Sequence, residues 1–197
     1  MITTLRLAGA TALLATLAAC SSAPTHFHTL VPPAATAMGQ VAAPFLIDVQ
    51  AVGVPPQVDQ PALVLRHGST GVSVLDGERW ASPLGDEIRG ALVADLSTRL
   101  GTHDVHGLPR PKDSKVVRVQ FDVRRFDSEV GGEATLEASW QVRAADAGAS
   151  CSSRIGEPAG GSYDSLVEAH QRALAKAADQ IAVAVRAAAA GQPPVCQ

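Results

Sequence analysis

Leu75-Asp76-Gly77-Glu78-Arg79-Trp80-Ala81-Ser82-Pro83-Leu84-Gly85-Asp86-Glu87-Ile88 reads as the end of a strand, a short turn and the opening of a helix that runs to Leu100. Ser82 suits the N-cap. Pro83 suits the first helical position, where its missing N–H is not needed. Asp86 and Glu87 place negative charge against the positive end of the helix dipole, and Gly101 marks the stop. Leu84, Ile88, Ala91, Leu92, Leu96 and Leu100 recur at three- and four-residue steps, giving one apolar face with Asp86, Glu87, Arg89, Asp95 and Arg99 directed outward. A helix with one apolar face needs a sheet or a second helix to cover it.

Both are written elsewhere in the chain. Upstream, His26 to Leu30 alternates as a short edge strand, and Phe45 to Val54 alternates around Ile47, Val49 and Ala51 until Pro55-Pro56 end it. Ala62 to His67 and Gly71 to Leu75 are two strands joined by the hairpin turn Gly68-Ser69-Thr70. Downstream, His103 to His106 reads as a short strand. Val116 to Phe126 and Glu133 to Val142 alternate as a long antiparallel hairpin joined by Asp127 to Gly132, and Ser150 to Ile155 is a third strand. The chain closes with a helix from about Tyr163 to Ala188, its apolar face carrying Leu166, Val167, His170, Leu174, Ala178, Ile181 and Val185. The fold class is α/β: a single domain with a mixed, mostly antiparallel sheet covered by two main helices, in the order strand-strand-strand-helix twice.

The start of the chain has export grammar. Arg6 precedes an apolar run, Leu7 to Leu17, that is about half the ~20 residues a membrane-spanning helix needs. Leu17-Ala18-Ala19-Cys20 then resembles the lipobox of bacterial lipoproteins, in which residues 1–19 are removed as a signal peptide and Cys20 becomes the acylated N-terminus. The alternative is an ordinary secretory signal with a chance cysteine. Ser21 after the cysteine favours an outer-membrane destination, on the periplasmic face. The organisation expected is a signal peptide over 1–19, a short tether over 20–26, a folded body over 27–188 and a tail over 189–197.

The whole chain carries 16 basic and 19 acidic side chains, a formal charge of −3. Loss of residues 1–19 takes one base, Arg6, and no acid. A mildly acidic surface without a basic cluster argues against nucleic acid as a partner. Two cysteines follow Cys20, namely Cys151 and Cys196, and in an oxidising compartment they have one pairing to make. A final helix about 39 Å long at ~1.5 Å per residue leaves flanking segments that extend roughly 59 Å, so the bridge is within reach. Two free thiols are the alternative.

Catalytic patterns are sparse. Arg66-His67-Gly68, at the end of a strand, resembles the phosphohistidine motif of the histidine phosphatase and phosphoglycerate mutase superfamily, in which the histidine is the nucleophile and the arginine holds phosphate. The following residues read as a second strand where those enzymes turn into a helix, so a hairpin turn is the preferred reading. His26 and His28 point to one side of a strand with no carboxylate or cysteine nearby in sequence to complete a metal set. His170, on an apolar helix face, reads as a core histidine. No metal, no cofactor and no enzymatic activity are expected.

A longer pattern covers nearly the whole chain after the signal. It comprises the lipobox, Phe27-His28-Thr29-Leu30, Ile47-x-Val49-x-x-Val52-x-Val54-Pro55 and Val58-Asp59-Gln60-Pro61. It continues with Arg79-Trp80-Ala81-Ser82-Pro83-Leu84, Arg118 to Asp127, and Leu166 to Leu174. The sequence resembles the PqiC (YmbA) family of ABC-type transport auxiliary lipoproteins. Gln60, where a basic residue is usual, and His26 and His28, where tyrosine-like residues are commoner, depart from it. The resemblance implies a lipoprotein held in the outer membrane by acyl chains such as palmitate on Cys20 and assembled as a homo-oligomeric ring. It implies work with a PqiB-like MCE protein and a PqiA-like inner-membrane protein in lipid transport and membrane integrity. It also makes Trp80, Pro83 and Leu84 a signature joint between strand and helix. The competing readings are the phosphohistidine enzyme and an unrelated structural or assembly lipoprotein.

Overall fold

The computed structural model describes residues 24–33, 42–109, 112, 114–145 and 147–196, so Cys20 and the expected signal peptide over 1–19 lie outside the described residues. The elements in order are β1 (His26–His28), β2 (Leu46–Val49), β3 (Ala62–His67), β4 (Gly71–Trp80), α1 (Leu84–Leu100), β5 (Val116–Ser128), β6 (Glu133–Ala144), β7 (Ala147–Pro158) and α2 (Tyr163–Ala189). The α/β class, the two helices and the mostly antiparallel pairing agree with the sequence reading. The strands divide between two mixed sheets, ordered β1-β4-β3 and β2-β5-β6-β7. Two pairings are parallel: His26 lies opposite Glu78 and Leu46 opposite Val116.

Several local readings change. The turn expected around Asp76 to Arg79 is strand. Leu63 pairs with Leu75 but Ala62 pairs with Arg79, so Asp76-Gly77-Glu78 bulge away from β3, and the end of β4 takes β1 as its other neighbour. Asp76 and Gly77 pair with neither neighbour, and the ladders that resume at Glu78 with β1 and at Arg79 with β3 make the Asp-Gly pair a bulge inside a strand in place of a turn. His103 to His106 is not a strand; Asp104 makes a single bridge to Ile47. Strands β5, β6 and β7 each run past the limits expected, because pairing along the hairpins carries the ladder beyond the last apolar residue.

The start of α1 is corrected too. Pro83, not Ser82, is the capping residue, and no side chain caps the first turn. The Ser82 hydroxyl donates instead to Glu87 Oε1 at 2.8 Å. Glu87 is not directed outward, being 4% exposed, and Arg89, Asp95 and Arg99 are half-buried too, Arg89 paired with Asp104 and Arg99 with Asp95 and Asp179. Gly101 ends the helix in the left-handed conformation at φ 66°, which glycine adopts without a Cβ clash. Gly85 is required for a different reason, since a Cβ there would sit 2.7 Å from the Val52 carbonyl oxygen.

The second helix opens with a full capping box between Ser162 and Ser165. It packs across β6 and β7 and against α1. One apolar core joins both helices to the inner face of the four-stranded sheet, with Phe121, Leu136, Ile88, Leu92, Leu174 and Ile181 fully enclosed. Trp80 is buried with its ring edge toward Phe126, centroids 6.2 Å apart, and Phe126 stacks on His170 at 3.8 Å. This stack ties β4, β5 and α2 together.

Candidate functional site

Alternation along β5, β6 and β7 sends Val119, Phe121, Leu136 and Ile155 into the core and leaves a polar outer face. The β3–β4 hairpin leans against one end of that face and encloses a cleft of about 370 Å³, with Arg66, Arg124, Arg125 and Arg154 around Asp127 and Glu137, and Val58, Val64, Val72 and Phe126 as its apolar wall. The charges form a ladder. Arg66 Nε reaches Asp127 Oδ2 at 2.9 Å, Arg125 Nε reaches the same oxygen at 2.5 Å, and Arg154 Nη2 reaches Glu137 Oε1 at 2.7 Å. Among the described residues Arg124 meets a hydroxyl, Ser139 Oγ, at 3.4 Å. The hydrogen bond from Arg154 holds the Glu137 carboxyl below its ordinary range, and Asp127 raises Arg125. Four guanidinium groups against two carboxylates leave a positive surplus suited to holding an anionic group.

The Arg66-His67-Gly68 motif does not assemble a phosphohistidine site. Arg66 turns into the cleft toward Asp127 and the Ser69 carbonyl. His67, the next residue on the strand, leaves from the other face and is exposed. Gly68 carries the hairpin turn at φ 60°.

A second cluster lies where β1 meets α2. Both β1 histidines grip one carboxylate from β4: His26 Nδ1 lies 2.9 Å from Glu78 Oε1 and His28 Nε2 lies 2.6 Å from Glu78 Oε2. Asp164, on the first turn of α2, lies 3.5 Å from His28 Nδ1. A carboxylate near these histidines was missing from the sequence reading, because only the parallel pairing of β1 with β4 delivers Glu78. Its hydrogen bond raises the His26 pKa, and the same bond lowers that of Glu78. Among the described residues no group of three or more ligating side chains is arranged to hold a metal ion.

Other polar groups tie elements of the frame together. Glu87 accepts from Thr29 Oγ1 at 2.7 Å, from the Leu30 N–H at 2.8 Å and from Ser82, stitching the segment after β1 to α1. His170 shares a 2.8 Å hydrogen bond between Nε2 and Ser128 Oγ, while its Nδ1 is buried without a partner among the described residues. Burial pushes its pKa down to about 3, against a weaker raising influence from Asp127. Cys151 and Cys196 are joined by a disulfide with Cα atoms 5.6 Å apart. Among the described residues no helix is long and apolar enough to cross a membrane.

Fold and clusters together define a two-helix α/β body that presents ion-paired surfaces. A family model described as the ABC-type transport auxiliary lipoprotein component matches residues 28–182, and the chain belongs to that family. Its fold is shared by a crystal structure of an uncharacterized protein, at 20% identity and a TM-score of 0.65, covering 81% of this chain and 97% of that one. Protein XCC0632 from Xanthomonas campestris is similar at 20% identity and a TM-score of 0.56, covering 79% of this chain and 92% of the other. No curated protein matches the sequence.

Proposed function

We propose that this chain is the outer-membrane lipoprotein subunit of a Pqi-like MCE system that moves lipid between two membranes. Residues 1–19 are removed, Cys20 carries the acyl chains, residues 20–26 are the tether and 27–188 form the docking body, with 189–197 as its tail. The body assembles into a ring that receives a PqiB-like MCE protein, itself coupled to a PqiA-like inner-membrane protein. Trp80, Pro83 and Leu84 hold the strand-to-helix joint that keeps this body rigid. The observation that carries the reading is the family match over residues 28–182, which spans the folded body from β1 into α2. The task needs no bond to be broken: two or three acyl chains anchor firmly where one holds marginally, and a stiff sheet supplies a docking surface.

Crosslinking in intact cells tests it. The MCE protein is expected to co-purify with the native chain, and Cys20→Ala is expected to fold normally, leave the membrane fraction and fail to restore resistance to detergent. Crosslinked material without any MCE protein would falsify the assignment.

A further inference from the structure

Given the acylated Cys20 of the proposed function, on which this inference rests, chain length decides which end of the molecule meets the bilayer. Five residues separate Cys20 from His26. Six Cα steps of at most about 3.6 Å reach roughly 20 Å, so β1 is held within that distance of the lipid headgroups. A shallow pocket of about 420 Å³ opens at that place, with His26, Phe27, His28, Glu78, Tyr163 and Asp164 around it. The β5–β6 turn joins the same end, where the Gly131 N–H donates to the Gly160 carbonyl at 2.8 Å and the Ala159 N–H to the Gly132 carbonyl at 2.9 Å.

Two aromatic side chains stand out from this end. Phe27 is 66% exposed and Tyr163 is 36% exposed, whereas Phe45, Phe121 and Phe126 are all buried. A phenylalanine left in water beside a lipid anchor gains by moving into the headgroup layer, where aromatic rings are favoured. The exposed acids Glu129 and Asp164 at the same end give no attraction to an anionic surface, so the contact is made by the rings. From here α2 runs for about 40 Å at ~1.5 Å per residue. We propose that the protein stands on the phospholipid surface on this end, with Phe27 and Tyr163 at headgroup depth and the far end of α2, at Gly191, turned away from the membrane.

Brominated phospholipids test the pose. The acylated protein carrying Phe27→Trp is reconstituted into phosphatidylethanolamine and phosphatidylglycerol vesicles with brominated acyl chains. Trp80 and Trp140 are buried and give a constant background. The expected result is loss of most of the emission that the new tryptophan adds, with no loss for Gln192→Trp at the far end. Tyr163→Trp, on the same pocket, gives the same reading where Phe27→Trp does not fold. Unquenched emission at both near positions in vesicle-bound protein overturns the pose while leaving the anchor intact. Equal quenching of Gln192→Trp overturns the pose as well. A purified chain whose mass shows no acyl group on Cys20 overturns the anchor and the pose together.

Discussion

Glu87 joins two segments far apart in sequence through three hydrogen bonds made inside the protein. Glu87→Ala strands the buried Leu30 N–H and is expected to cost about 3 kcal/mol, read as a lower urea midpoint at unchanged slope. His170 makes a prediction in pH. Its folded pKa is about 3 against an ordinary 6.5, so the unfolded chain binds a proton that the native protein refuses. Stability is therefore complete above about pH 6.5 and falls as the pH drops toward 3, by on the order of 2 kcal/mol by pH 5. His26, with a raised pKa, acts in the opposite sense from an exposed position. Urea unfolding of the native chain and of His170→Gln, compared at pH 7 and 5, isolates the buried ring: the variant's stability is expected to change much less. The sequence marked His170 as a core histidine from its place on the apolar face. Neither the burial of Glu87 nor the gathering of His26, His28 and Glu78 was legible, because each depends on a partner brought in from another strand or helix.

At the scale of elements, the end of α2 and the tail beyond it are tied back to β7 by the bridge between Cys151 and Cys196, which closes a loop with a sequence separation of 45. By the loop-entropy account its removal costs up to about 4 kcal/mol. Reduction by dithiothreitol, or Cys196→Ser, is expected to lower the urea midpoint, with no further effect of reductant on the variant. Strong periodicity made β5, β6 and α2 readable, and their apolar faces are the ones buried; α1 was located by its leucine spacing, although Arg89, Asp95 and Arg99 interleave with those leucines and are half-buried. Boundaries were less so. Asp76-Gly77 has turn composition and yet lies within a strand because β1 and β3 both pair with the end of β4. Ser82 has the composition of a cap and serves Glu87 instead.

For the whole molecule, alternation tells which face of each strand is buried but not which strand is its neighbour. The division into two sheets rests on β1 choosing β4 and β2 choosing β5, and no local pattern encodes either choice. Both choices are parallel and both partners lie downstream. A chain synthesised from its N-terminus therefore releases β1 and β2 long before anything exists to receive them. Ile47 and Val49 stay in water until Val117 and Val119 have emerged, with β3, β4 and α1 made in between. Both sheets accordingly close only after contacts far apart in sequence have formed, which makes their parallel edges the late and slow part of folding.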